Sequence, residues 1–275
     1  MRVLLTNDDG IDAEGLRTLR RALAGVPGIS LAVVAPDGNR SAMARSITTR
    51  RPLLVQEVDF SDGSVGYATD GTPVDCVRLA SLGLVDGWQP EMVVAGINHG
   101  SNLGDDITYS GTVAAALEAI VLGLPGIAVS QQSSARELDF RVGTGFDFTV
   151  AASFTARLVA ELETTPLPAG TLLNVNVPGG PPEGVEVARL GKRVYQDELS
   201  LVDEDGAERR LYKIYGEAAP GRNEAGTDLA AVAQGRIAVT PVHFDLTDRE
   251  GMSVLERYGL ERLVQPAAEN LAELP

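Results

Sequence analysis

The sequence predicts an α/β protein built on a doubly wound parallel sheet, and three observations predict it. Short, almost wholly apolar runs recur from Met1 to about Pro178, as strands buried on both faces require. Segments with apolar residues at helical spacing lie between them. Each apolar run then breaks into a loop of Gly, Asn, Asp and Pro, the punctuation of strand-to-helix turns.

The first run, Val3-Leu4-Leu5-Thr6, ends abruptly in Asn7-Asp8-Asp9-Gly10. From Asp12 to Leu23 the residues Leu16, Leu19, Ala22 and Leu23 share one helical face, which places Asp8 and Asp9 in the first strand-to-helix loop. Ser30 to Ala35 is a second buried strand, stopped by Pro36-Asp37-Gly38-Asn39-Arg40-Ser41. Leu53 to Tyr67 alternates around Asp62-Gly63, the pattern of a hairpin. Cys76 to Leu84 reads as a helix, with Thr72 as N-cap, Pro73 at the first position and Asp75 near the positive end of the dipole. Met92 to Ala95 is a strand that runs into the loop Gly96 to Asp106. Three glycines there let the backbone approach a ligand, while Asn98, Asn102, Asp105 and Asp106 supply oxygens. Tyr109-Ser110-Gly111 leads into a helix over Thr112 to Leu122. Gly126 to Ser130 is a strand, Asp147 to Leu162 a helix, and Leu172 to Val177 a strand stopped by Pro178-Gly179-Gly180.

Composition changes after that point. Val185 to Tyr215 alternates apolar and charged residues on both sides of Asp203-Glu204-Asp205-Gly206. This predicts two long strands joined at an acidic turn, a projecting hairpin that packs against another subunit. Glu217 to Gly226 is a loop, Thr227 to Gln234 is short and mixed, and Arg236 to Thr240 is a strand before Pro241. Met252 to Leu263 is an amphipathic helix, broken by Pro266. The expected division is an α/β core over 1–180 and a C-terminal oligomerisation region over 181–275.

Composition limits the function. With 275 residues, 44% of them hydrophobic, the chain can bury a sizeable core. A net charge of −15 argues against a nucleic-acid duplex or a membrane surface as partner, since both want basic patches. The single cysteine, Cys76, fits a reducing compartment. The opening residues show no charged leader followed by an apolar core, so a cytoplasmic location is expected. The stretch Arg40 to Arg51 holds four arginines and no acid, a local basic loop suited either to a phosphate or simply to solvent.

Ligands of open parallel sheets bind outside the carboxyl ends of the strands. Four candidate metal ligands lie beyond three strand ends: Asp8, Asp9, Ser41 and Asn98. All are oxygen donors and two are anionic, which suits Mg²⁺ or Mn²⁺. Adjacent carboxylates repel each other unless a cation lies between them. Helix capping would explain one Asp but makes the second a cost. Ser110 and Gly111 at a helix N-terminus offer backbone N–H groups to an anion, although a simple cap accounts for Ser110 equally well. A divalent metal facing an anion site is the layout of phosphoryl chemistry, with Asp8 or Asp9 as base. An aspartyl-phosphate route is disfavoured, because the haloacid-dehalogenase pattern separates its two acids by one residue. No G-x-G-x-x-G or G-x-S-x-G is present.

The stretches LLTNDDG at Leu4–Gly10, VVAPDGNRSA at Val33–Ala42, DGTPVDCV at Asp70–Val77, GINHGSNLGDDITYSGTVAAALEA at Gly96–Ala119 and NVNVP at Asn174–Pro178 carry a resemblance. GTDLAAV at Gly226–Val232 and TPVHFDLT at Thr240–Thr247 extend it. The chain resembles the SurE family, stationary-phase survival proteins that are metal-dependent 5′(3′)-nucleotidases. The resemblance implies a Rossmann-like core, a C-terminal region that exchanges elements between subunits, and a homodimer or homotetramer. It implies one divalent cation per subunit, Mn²⁺ or Mg²⁺, on Asp8, Asp9, Ser41 and Asn98, and nucleoside monophosphates as substrates. It places Asn7, Asn102, Ser110, Gly111 and Thr112 on the phosphate side, with Asn98 reaching both. The sequence departs at His99, where a small residue is commoner, and the Arg189 to Tyr215 hairpin matches poorly. The competing expectations are a nucleotide sensor without turnover and an assembly protein acting through its hairpin.

Overall fold

The computed structural model describes residues 1–136, 145–193, 199–205, 209–214 and 224–264. The chain forms two compact units, Met1–His243 and Phe244–Pro275. The first is built on a nine-stranded sheet. In chain order its elements are β1 (Arg2–Thr6), α1 (Glu14–Ala24), β2 (Ser30–Pro36), β3 (Val55–Asp59), β4 (Val65–Thr69), α2 (Pro73–Ser81) and β5 (Met92–His99). Then come α3 (Gly111–Val121), β6 (Gly126–Gln131), α4 (Thr149–Thr164), β7 (Thr171–Val177) and β8 (Gly184–Val187). The hairpin β9 (Ser200–Asp205) and β10 (Arg209–Lys213) precedes α5 (Asp228–Ala233) and β11 (Arg236–His243).

The sheet order is β3-β4-β2-β1-β5-β6-β7-β11-β8. Strands β4, β2, β1, β5, β6 and β7 run parallel, while β3 and β11 pair antiparallel to their neighbours. Side chains on a strand alternate between faces, and β1 shows the consequence. Val3 and Leu5 join the core that holds Leu16 and Leu19 of α1 and Ala152 of α4. Leu4 points the other way, into a core with Cys76 of α2 and Ala115 of α3. Helices therefore cover both faces, which is why the central strands read as unbroken apolar runs. Losing a buried leucine such as Leu5 costs about 2–5 kcal/mol.

Several predicted elements differ. β5 does not stop at Ala95: after a shift of register it continues, pairing Asn98 and His99 with Ser130 and Gln131 of β6. The long hairpin predicted from Val185 is two separate features. Val185 and Val187 lie in β8, which pairs with β11 at the sheet edge, and the hairpin proper is β9–β10. Alternation alone could not distinguish an edge strand from a projecting one. Gly206 of the predicted acidic turn lies outside the described residues. The segment from Thr227 contains a helix, α5, capped by the Thr227 hydroxyl, which accepts from the Ala230 N–H. β11 continues through Pro241, because its neighbour β8 runs out opposite Val239. Strands from beyond residue 180 thus complete the same sheet.

In the second unit, α6 (Arg249–Glu256) is capped by Asp248, and a 3₁₀ turn follows at Leu260–Val264. The helix is shorter than predicted, and Pro266 lies outside the described residues. No helix among the described residues is long and apolar enough to cross a membrane.

Candidate functional site

The order of strands reverses between β1 and β5, the two strands whose ends carry the candidate ligands of the sequence: Asp8 and Asp9 after β1, Asn98 at the end of β5. A crevice opens at such a reversal. The loop after β1 is closed by Asn7, whose side-chain amide donates to the Gly10 carbonyl at 2.8 Å and accepts from the Gly10 N–H at 3.2 Å. Gly10 has φ +106°, and its missing side chain would lie 3.1 Å from the Gly38 backbone. Asn7 is thus consumed in shaping the loop and does not line the crevice.

Asp8 is buried, and its carboxylate sits against the first turn of α3. Thr112 Oγ1 and the Thr112 backbone N–H both donate to it. A side chain on Gly111 would meet an Asp8 oxygen at 2.8 Å, so only glycine lets the helix approach this closely. Burial, then the neighbouring Asp9 charge, push the Asp8 carboxyl up from 3.8 to about 6, against the pull of the Thr112 hydrogen bonds.

Asp9 turns towards β5. Its Oδ2 lies 2.8 Å from His99 Nδ1 and accepts the His99 backbone N–H at 3.2 Å. The His99 ring is held edge-on by Phe146 and Phe148, at centroid distances of 5.2 and 4.8 Å. His99 therefore fixes the orientation of Asp9.

Asp8, Ser41, Asn98, His99, Asn102, Asp106 and Ser110 line one cavity of about 40 Å³. That is room for an ion with a water or two. Asn98 Nδ2 donates to the Gly100 carbonyl, so the atom it offers a ligand is its oxygen. The Ser41 backbone is steadied by Asn39, whose side-chain oxygen accepts the Ser41 N–H at 2.9 Å. Ser110 is the N-cap of α3, accepting the Val113 N–H at 3.1 Å. The anion already at the end of α3 is the protein's own Asp8. Only the Gly111 N–H is left over at that first turn.

Three of the four arginines in the basic loop are already paired. Arg40 pairs with Asp37, Arg45 with Glu118 and Arg51 with Asp70, at 2.6–2.7 Å. Glu118 is buried in α3 and is also held by Arg78 at 2.6 Å.

Sequence reasoning missed the residues that hold the glycine-rich loop. Asn174 and Asn176 both donate to the Asn102 carbonyl, at 2.9 and 3.0 Å, and Asn176 accepts the Asn102 N–H. Asn102 Nδ2 in turn donates to Ser130. The signal was present: two asparagines at period two inside a buried strand share one face. Asp228, also buried, accepts from the Gly104 and Gly191 N–H groups at 2.8 Å each. Arg193 Nε reaches Asp106 at 2.6 Å, an ion pair buried on both sides.

The donor set tests whether a metal fits. Among the described residues no three His, Cys, Asp or Glu side chains come together. Asp8 and the neutral residues Ser41 and Asn98 line the cavity with oxygen donors, while Asp9 is turned onto His99. Such donors suit a hard divalent ion that keeps waters of its own. The raised Asp8 pKa reflects burial first and the neighbouring Asp9 charge second.

Fold and site together define an open-sheet α/β protein with an acid-lined, oxygen-rich crevice at the switch in strand order. Its sequence and structure were compared with known proteins. The chain belongs to the SurE family: the family described as "Survival protein SurE" matches residues 3–197. The 5′-nucleotidase SurE of Rubrobacter xylanophilus is 54% identical over 268 residues, covering 96% of this chain and 99% of the relative. That of Chloroflexus aggregans is 46% identical over 95% of this chain and all of its own. The crystal structure of the SurE protein from Aquifex aeolicus superposes with a TM-score of 0.79 at 35% identity, covering 94% of this chain and 99% of that one.

Proposed function

We propose that this protein is a divalent-metal-dependent 5′-nucleotidase, which hydrolyses nucleoside 5′-monophosphates to nucleoside and phosphate, and that 3′-monophosphates enter the same cleft. The observation that carries the reading is the buried, charge-stressed Asp8 beside Asp9 at an oxygen-lined cavity. The relatives at 46–54% identity, which bear the name 5′-nucleotidase, support the choice of substrate.

Asp8, Asp9, Ser41 and Asn98 would hold one Mn²⁺ or Mg²⁺ per subunit. Such an ion, when bound, polarises a phosphoryl oxygen and makes water a better nucleophile at neutral pH. The chain's own residues do the rest. Thr112 fixes one Asp8 oxygen and leaves the carboxylate no freedom to rotate. His99 orients Asp9 and shields it on one side. Asp8 or Asp9 takes the proton of the attacking water. Asn98, Asn102, Ser110 and the free Gly111 N–H lie where phosphoryl oxygens enter, while Thr112 acts on phosphate only through Asp8. Asn7 serves by holding the loop's shape.

The region 181–275 is read as the oligomerisation segment of a homodimer or homotetramer. Exposed Leu201, Val202, Leu211 and Tyr212 on the hairpin supply an apolar face for a second subunit. Exchanged C-terminal elements and a cytoplasmic location complete the proposal.

Phosphate release from 5′-AMP, with and without Mn²⁺, tests the function. Activity that depends on the ion and vanishes in Asp8→Asn with Asp9→Asn is expected. Full activity in excess chelator would overturn the metal reading.

A further inference from the structure

The cavity between Asp8 and Ser110 has a volume of about 40 Å³ and cannot enclose a nucleoside. The rest of a nucleotide must lie beside it. A second cavity, of about 460 Å³, opens at the carboxyl ends of β6 and β7, lined by Gln131, Phe146, Gly179, Gly180 and Pro181 among others. It adjoins the first across one ring contact: His99, which lines the small cavity, packs 5.2 Å from Phe146, which lines the large one. A larger cleft, of about 740 Å³, lies between α1 and α4, and a smaller one, of about 290 Å³, around Met92 and Thr171, both away from the strand ends that carry the site.

We propose that the cavity at the ends of β6 and β7 receives the base of the nucleotide, with Phe146 as its stacking surface and Gln131 as its hydrogen-bond acceptor. The proposal rests on the nucleotidase reading and deepens it. Two features fit a base. Phe146 is half-buried, stacked parallel to Phe148 at 5.8 Å and braced by His99, so its ring is held in place before any ligand arrives. A base stacks on such a ring whatever its identity. Gln131 is buried, and its Nε2 is surrounded by the carbonyl oxygens of Gln132, Val177 and Pro178, at 3.0–3.4 Å. Three acceptors around one end fix which end is nitrogen. Its Oε1 is then left buried without a partner. A buried acceptor without a donor is costly. Every common base carries an N–H or amino donor that can satisfy it.

The test compares 5′-AMP with ribose 5-phosphate, which has the same phosphoester and no base. In the wild-type protein kcat/KM should favour 5′-AMP. Phe146→Leu, which keeps apolar packing but removes the ring, should lower that ratio roughly tenfold or more, the scale of a lost base–aromatic stack. Phe146→Tyr should restore most of it. Gln131→Leu should lower the ratio as well. A ratio unchanged in Phe146→Leu, with both substrates falling together, would show that Phe146 acts only by bracing His99 and would overturn the proposal. Affinity measured by calorimetry separates the two readings. If neither compound is hydrolysed, the nucleotidase reading fails, yet 5′-AMP should still bind more tightly than ribose 5-phosphate. Equal affinities would overturn the base site itself.

Discussion

Asp8→Asn should make the metal-free protein more stable at neutral pH. Asp8 is buried, and its carboxyl is pushed from 3.8 to about 6 by desolvation and by the Asp9 charge. A carboxyl whose folded-state pKa is raised holds more protons in the folded chain than in the unfolded one. The fold is then favoured at low pH and loses that advantage as pH rises from about 4 through 6. The gap is worth about 3 kcal/mol, since each pKa unit is worth about 1.4 kcal/mol. Asparagine keeps an oxygen for the Thr112 hydroxyl and carries no charge to desolvate. Thermal unfolding in chelator, followed by circular dichroism, should therefore give similar midpoints for both proteins near pH 4. At pH 7.5 the asparagine variant should lead by roughly 5–10 °C for a chain of this size. Saturating Mn²⁺ should reverse the order, because a ligand at about 1,000 times its Kd adds about 4.1 kcal/mol to the protein that binds it. Parallel pH curves for the two proteins, or equal stabilisation of both by Mn²⁺, would refute the argument that the acid pair is strained until a cation joins it.

Removing His99, which grips Asp9 at two atoms, should weaken Mn²⁺ binding about 10–100-fold in His99→Ala, read by titration calorimetry. Arg45→Ala with Arg78→Ala strands the buried Glu118 without a counter-charge and should cost about 3–5 kcal/mol in urea unfolding. Adding Glu118→Gln should recover most of it. Asp228→Asn leaves one of two loop N–H groups facing an amide nitrogen and should cost about 1.5–3 kcal/mol. Thr72→Ala removes a capping box and should cost about 1 kcal/mol, visible as a lower unfolding midpoint.

Much of the core was legible because its strands are buried on both faces and its loops punctuate cleanly. Asp8, Ser41 and Asn98 do meet at one cavity, as strand-end logic required, with Asp9 one residue away and turned onto His99. What was not legible depends on partners far apart in sequence. Nothing near Arg45 announces Glu118, 73 residues away, so a basic loop that suited phosphate or solvent equally has three of its four arginines paired within the chain. Nothing near Gly104 announces Asp228, 124 residues on. The single long hairpin read from Val185 to Tyr215 failed for another reason. Alternation of apolar and polar residues describes an edge strand and a projecting hairpin equally well, and only the pairing of β8 with β11 separates them.

The helix α3 has a mechanical consequence. Its first turn clamps Asp8 through Thr112, and six residues later, about 9 Å along the axis, Glu118 anchors Arg45. Arg45 belongs to the loop that presents Ser41. One rigid rod thus gauges the distance between donors from two separate loops. The aperture of the cavity between Asp8 and Ser41 is tied to the length of a helix, so a substitution at Arg45 should loosen the Ser41 loop without touching any residue that lines the cavity.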